Sequence, residues 1–189
     1  MNNIIGLFIF ALLVAGVLYF VLSKKKKPAI QEDEEVSGIE EEPFAKGLAF
    51  VLKWEGVVSN DINDPGGLTI YGISYRSHPT EVMTMKELMD KGKRNEALEI
   101  AKKIYYNHYW LGAECDRHFY PYNILLFDTG VNMGISAAKQ LFDVSDSLED
   151  YLFNRLDRYT KMTVAQHYMR GWCNRVISLW KLLKKKGDE

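Results

Sequence analysis

Apolar residues run without a break from position 4 to position 22 and then almost disappear until position 44. The first run carries no charge and, as a helix rising about 1.5 Å per residue, would span roughly 28 Å, close to the hydrocarbon core of a bilayer. It predicts a single membrane anchor within residues 1–23. The alternative is a cleaved signal peptide; against it, no Lys or Arg precedes the run and no small-x-small cleavage site precedes Lys24. Residues 24–43 are acidic, Pro-bounded and poor in large apolar side chains, the composition of a disordered tether.

From Phe44 the pattern becomes helical. Phe44, Leu48, Val51 and Leu52 recur at one face of a 3.6-residue period, Pro43 suits a first helical position, and Gly56 a helix end. Asn63-Asp64-Pro65-Gly66-Gly67 is turn chemistry, and residues 68–73 read as a short β or irregular segment. Thr84 followed by Glu87 has the spacing of a capping box opening a helix. Further helices are predicted over 95–110, 121–131, 135–142 and 151–168, and a last one from about Gly171 to Leu183. The fold class expected is mainly α with a small β-like element near 57–73, behind one transmembrane helix. No internal repeat is visible.

Charge and cysteine content narrow the classes. The formal net charge is −1, so the overall balance does not argue for a nucleic-acid partner. The charge is blocky, with lysines at 24–27, acids at 32–35 and 40–42, and a basic end after 180, which reads as solvated linker and tail. Cys115 and Cys173 are the only cysteines, and they form no CxxC; a disulfide framework and a structural zinc site are not expected, and the two sulfurs read as small packed residues. His108 and His118 have no ligand-like partners by spacing, so neither a metal nor any other cofactor is expected. Tyr105, Tyr106, Tyr109 and Trp110 could stack on sugar rings, although aromatics at this spacing more often form core.

One segment carries candidate chemistry. Glu55 follows Leu48 and Val51 by seven and four residues and shares their helical face. A carboxyl on that face would be sheltered from water, a condition that suits a general acid; a frayed helix end turned to solvent is the other reading. The loop behind it supplies Asp61 and Asp64, then the Thr69 hydroxyl, which could hold a water. Both aspartates also suit ordinary turn formation.

In order, Trp54-Glu55-Gly56 and Asn60-Asp61-x-Asn63-Asp64-Pro65-Gly66-Gly67-x-Thr69-x-Tyr71-Gly72-Ile73 resemble the signature of glycoside hydrolase family 108, a family of bacterial and phage muramidases. The resemblance implies a small, mostly helical, lysozyme-like fold with Glu55 as catalytic acid. The order Glu55, Asp64, Thr69 is also similar to the Glu-Asp-Thr set of phage lysozymes, with the Thr one residue early. Asp128-x-x-Val131-Asn132-x-Gly134 resembles a later stretch of the same family, and Gly171-Trp172-x-Asn174-Arg175-Val176 resembles the close of a predicted peptidoglycan-binding domain that commonly follows it. On this basis residues 44–134 are assigned to the hydrolase domain and 135–189 to a helical peptidoglycan-binding region. Asp64 and Thr69 join Glu55 as catalytic candidates; Asn132, Tyr71 and Trp172 are the substrate-binding candidates, Asn132 having helix capping as its alternative role. The sequence departs from the family's Glu-Gly-Gly-Tyr and first Pro at Val57, Val58 and Ile62; a Val at 57 takes positive φ only at a cost.

Together with the expected anchor, the resemblance implies a membrane-anchored peptidoglycan hydrolase, a muramidase associated with a phage or virion. Three alternatives stay open: a lytic transglycosylase, which needs only the acid; a non-catalytic peptidoglycan-binding membrane protein, favoured by Val57 and Val58; and a wall-loosening factor within a secretion complex. Partners expected are peptidoglycan and, through residues 4–22, a host or virion membrane. The lysines after the run would keep the rest of the chain cytoplasmic by the positive-inside rule, away from a wall substrate; a viral setting or insertion against the rule would reconcile the two.

Overall fold

The computed structural model describes residues 42–59 and 67–184, all within one compact unit, Val36–Glu189. The expected anchor at 4–22, the tether up to residue 41, and Asp61, Ile62 and Asp64 lie outside the described residues. Among the described residues no helix is long and apolar enough to cross a membrane.

Helix α1, Glu42–Glu55, buries Phe44, Leu48 and Val51, the stripe predicted by periodicity. It begins at Glu42, so the last two residues assigned to the tether are helical; an acid in the first turn faces the positive end of the helix dipole, and Pro43 is tolerated there. Gly56, at φ 73°, ends the helix. Because the glycine supplies the left-handed residue, Val57 needs no positive φ, and its carbonyl accepts the Tyr71 N–H at 2.8 Å.

Strands β1, Val58–Ser59, β2, Thr69–Ile70, and β3, Ile73–Ser74, form an antiparallel sheet in that order. Ile70 pairs with Val58 and Ile73 and is buried. Tyr71 and Gly72 make the two-residue turn between β2 and β3 with both φ positive, 50° and 80°, the geometry that matches strand twist.

Helix α2, Pro79–Asp90, starts well before the expected capping box. Pro79 sets the first turn, and Thr84 lies inside the helix with its hydroxyl bonded back to the Thr80 carbonyl at 2.9 Å. Helix α3, Arg94–Ile104, passes directly into a π-helical segment, Tyr105–Trp110, where an unbroken α-helix was expected. After a short 3₁₀ turn at Cys115–Arg117 come α4, Tyr122–Met133, and α5, Ile135–Asp143. Helix α6, Leu148–Thr160, is capped by the Ser147 hydroxyl, which accepts the Asp150 N–H at 3.1 Å.

The helix expected over 151–168 therefore breaks after Thr160, and α7, Ala165–Lys184, begins six residues before Gly171. The glycine is carried inside α7 with open space around it. Gly171→Ala is accordingly expected to stabilise the protein by about 0.5–1 kcal/mol, read as a higher urea midpoint at unchanged m-value.

The core gathers around Phe44, whose ring meets Tyr106, Trp110 and Phe127 edge-on at 5.1, 5.5 and 5.6 Å. This joins the N-terminal end of α1 to the π segment and to α4. Both cysteines are free thiols, Cys115 buried and Cys173 half-buried.

Candidate active site

Glu55 is the last residue of α1, and its side chain is 25% exposed. Its Oε1 accepts a hydrogen bond from Arg175 Nη1 at 2.8 Å across 120 positions of sequence. Arg175 thus fixes one carboxyl oxygen, while among the described residues Oε2 takes no hydrogen bond. The β2–β3 turn closes over the same side chain. A Cβ placed on Gly72 would stand 2.5 Å from the Tyr105 hydroxyl oxygen and 2.7 and 2.8 Å from Glu55 Cβ and Cγ. Only a glycine permits this approach.

Behind Glu55 lies a buried ionic chain. Arg175 Nε donates to Asp128 Oδ1 at 2.9 Å, and Arg155 Nη1 donates to Asp128 Oδ2 at 2.7 Å. Asp128 and Arg155 are both 0% exposed, and each oxygen of Asp128 is held by a different guanidinium. Arg155 also donates to the Thr129 hydroxyl at 3.0 Å and to the Tyr159 hydroxyl at 3.0 Å. Two acids and two arginines balance in charge, which is what allows the chain to be buried. Burial works against the charge on Arg175, but Asp128 and then Glu55 outweigh it and hold the guanidinium above its ordinary pKa. Arg155 is held above its ordinary value by Asp128 in the same way.

Tyr105 and Tyr109 of the π segment lie within reach of the Glu55 charge. Burial first, and the Glu55 charge second, push the Tyr105 and Tyr109 phenols up, so both remain protonated. Tyr105 then donates its hydroxyl to the Tyr71 carbonyl at 2.8 Å, tying the turn to the helix below.

The structure places the other expected residues as follows. Thr69 pairs with Ser59 and Ser74 and points to the sheet face opposite buried Ile70, its hydroxyl 3.4 Å from the Gly67 carbonyl. Tyr71 is buried, with its hydroxyl donated to the Arg94 carbonyl at 3.3 Å. Asn132 Oδ1 accepts from the Tyr159 hydroxyl and, at 3.4 Å, from Arg155 Nη2. Trp172 stacks on Tyr159 at 4.5 Å with planes 17° apart, and the Tyr168 ring lies tilted against Trp172 at 5.8 Å. Asn132 and Trp172 thus meet at Tyr159 and connect to Glu55 through Arg155, Asp128 and Arg175. Among the described residues no group of His, Cys, Asp or Glu is arranged to hold a metal.

Asp128 and Arg175 entered the sequence reading only as members of resembling motifs and Arg155 not at all; none was given a role, yet each carried a signal. All three are charges on otherwise apolar helical stripes: Asp128 follows Ile124 to Phe127, Arg155 stands between Tyr151 and Tyr159, and Arg175 precedes Val176 and Leu179.

Since Glu55 is positioned by contact with the turn, Gly72→Ala is a direct probe of that contact. A side chain at φ 80° costs about 1–2 kcal/mol, and displacing Glu55 on the ångström scale costs on the order of 10²-fold in kcat. Both a lower Tm and a lower kcat are expected; an unchanged rate would show that the turn does not set Glu55.

Residues 48–134 match the family model described as Glycosyl hydrolase 108. The match supports glycosidase activity of the lysozyme-like type, with peptidoglycan the consistent substrate. The solved structure of Brucella abortus SagA is similar, with a TM-score of 0.58 and 20% identity, over 77% of this chain and 97% of that one; the likeness shows the fold. No curated protein matches the chain. The matched segment holds Glu55, Gly72 and Asp128, whereas Arg155 and Arg175 reach the site from beyond it.

Proposed function

We propose that the protein is a membrane-anchored muramidase, cleaving the glycan strand of peptidoglycan between N-acetylmuramic acid and N-acetylglucosamine. The observation that carries the reading is Glu55 itself. It is a partly sheltered carboxyl with one oxygen fixed by Arg175 and the other free of hydrogen bonds among the described residues, under a glycine turn, within the segment that matches a glycosidase family. In this role Glu55 protonates the leaving glycosidic oxygen. Asp128 cannot share the work, because both its oxygens are held by buried arginines. Asp64 and the Thr69 hydroxyl are assigned to position water or to stabilise the developing positive charge. Asn132 and Trp172 bind the glycan beside Tyr168, and Tyr71 contributes through its carbonyl bond to Tyr105.

Residues 4–22 anchor the enzyme as a single-pass protein of a host or virion membrane, with the wall-facing part carried on the acidic tether; lytic action on behalf of a phage or virion suits this plan. The test is digestion of isolated peptidoglycan by the full chain, with mass spectrometry of the fragments. New reducing ends at muramic acid are the expected result. Anhydro-muramyl ends would change the assignment to lytic transglycosylase. A folded protein that pellets with the wall and releases nothing would make it a non-catalytic wall-binding protein.

A further inference from the structure

Where α3 runs into the π segment, Ile100, Lys103, Ile104, Asn107 and His108 fall on one side of the helix. His78 and Glu81, at the start of α2, face them, and together these residues line an open-sided cavity of about 330 Å³. Its floor is aliphatic, Ile100 and Ile104. Its walls carry one cation, one carboxylate, two imidazoles and an amide. The two imidazoles, His78 and His108, meet edge-on at 5.9 Å.

The charges are the informative part. Several neighbouring charges on the same helices or their flanks are paired: Lys86 with Asp90 at 2.6 Å, Lys93 with Glu96 at 2.8 Å, and Lys102 with Glu99 at 2.7 Å. Lys103 and Glu81 line one cavity, yet among the described residues neither forms an ion pair with the other or with anything else. A neutral sugar would leave both charges without a partner. A group that carries an ammonium and a carboxylate together would satisfy both.

The cavity is linked to the catalytic candidate through packed tyrosines. The His108 ring packs edge-on against Tyr109 at 4.7 Å, and Tyr109 lies 5.7 Å from Tyr105. Tyr105 in turn meets the turn that covers Glu55. One π segment therefore presents tyrosines to Glu55 and Asn107 and His108 to the cavity; departures of this kind from α-geometry are frequent at functional sites.

We propose that this cavity is a subsite for the stem peptide of peptidoglycan and takes a free α-amino-acid end of a side chain. The carboxylate is bound by Lys103 and the ammonium by Glu81. The methylene chain lies on Ile100 and Ile104, and His78, Asn107 and His108 complete the hydrogen bonds. The inference rests on the peptidoglycan reading above and adds to it a preference for one kind of stem peptide. A third stem residue of the diaminopimelate type ends in such a group; a lysine in that place ends in an ammonium alone.

The test compares four glycan substrates with the full chain: one with diaminopimelate stems, one with those stems amidated at the side-chain carboxylate, one with lysine stems and one without peptide. A KM about tenfold lower for the first is expected, from one charge-assisted contact of about 1.4 kcal/mol. Lys103→Met and Glu81→Gln should each bring that ratio toward one, whereas Lys102→Met, at a lysine outside the cavity, should leave it intact. Equal KM values for all four substrates in the wild type, or a preference that survives in Lys103→Met, would overturn the proposal. An independent readout needs no turnover: a free stem tripeptide ending in diaminopimelate should shift the His78 and His108 ring signals in NMR, and the lysine tripeptide should not. Shifts without cleavage of any substrate would keep the subsite and defeat the hydrolase reading. Cleavage with no shifts would do the reverse.

Discussion

Asp128→Ala is expected to lower the unfolding free energy by about 3–5 kcal/mol, a large share of the stability of a domain this size. Asp128 is fully buried and stands between two guanidinium groups, Arg155 on one oxygen and Arg175 on the other. Its removal leaves Arg155 buried with a charge that only hydroxyl and amide oxygens of Thr129, Tyr159 and Asn132 can solvate. Arg175 keeps Glu55 as partner but is drawn toward it, so the damage reaches the active site as well as the core. Asp128→Asn keeps the shape and still removes the charge, so it should cost most of the same energy. Urea denaturation measures both. Because the cluster is buried, the loss should be nearly the same at low and high salt, unlike that of a surface pair. A cost below about 1 kcal/mol, the range of an exposed ion pair, would mean that the cluster is not sealed from water.

How much of this was legible in the sequence depended on the distance over which each feature is set. The stripe of α1 and its end at Gly56 depend on neighbours three or four residues away, and the pattern of Phe44, Leu48 and Val51 carried them. The start of α2 did not follow, because Pro79 and Thr84 offer competing local starts and packing chose the first. The break after Thr160 and the run of α7 through Gly171 were hidden for a related reason: the aromatic and apolar spacing continues across residues 161–164, and a glycine facing open space costs a helix little. The π segment has no signature in side-chain period, since Tyr105 and Trp110 are both buried only once the helix has widened. Motif order picked out Glu55 as the candidate acid. The arginine that holds it comes from 120 positions away, and Asp128 meets the same arginine from 47 positions away. No local pattern contains either pairing; the motifs holding Asp128 and Arg175 gave neither a role, and the isolated charges on apolar stripes hinted that partners existed.

Glu55→Gln separates the chemical role of that residue from its structural one. Glutamine has nearly the same shape, and its amide oxygen can still accept from Arg175 Nη1, so the tie to α7 survives in weaker form. The side chain is one-quarter exposed, and the lost charge attraction is partly screened; stability should fall by no more than about 1 kcal/mol. The amide nitrogen cannot deliver an acidic proton to a departing sugar oxygen. The step that Glu55 is proposed to catalyse therefore loses its general acid, for which about 10²–10⁴-fold in kcat is the expected cost. KM should change little, since the contacts assigned to binding, at Asn132 and Trp172 and in the cavity beside His108, are left in place. A variant that melts with the wild type and binds peptidoglycan equally, yet releases fragments hundreds of times more slowly, would identify Glu55 as the proton donor. A rate within a few-fold of wild type would remove it from the chemistry and leave it as the anchor of Arg175, with the acid to be sought elsewhere.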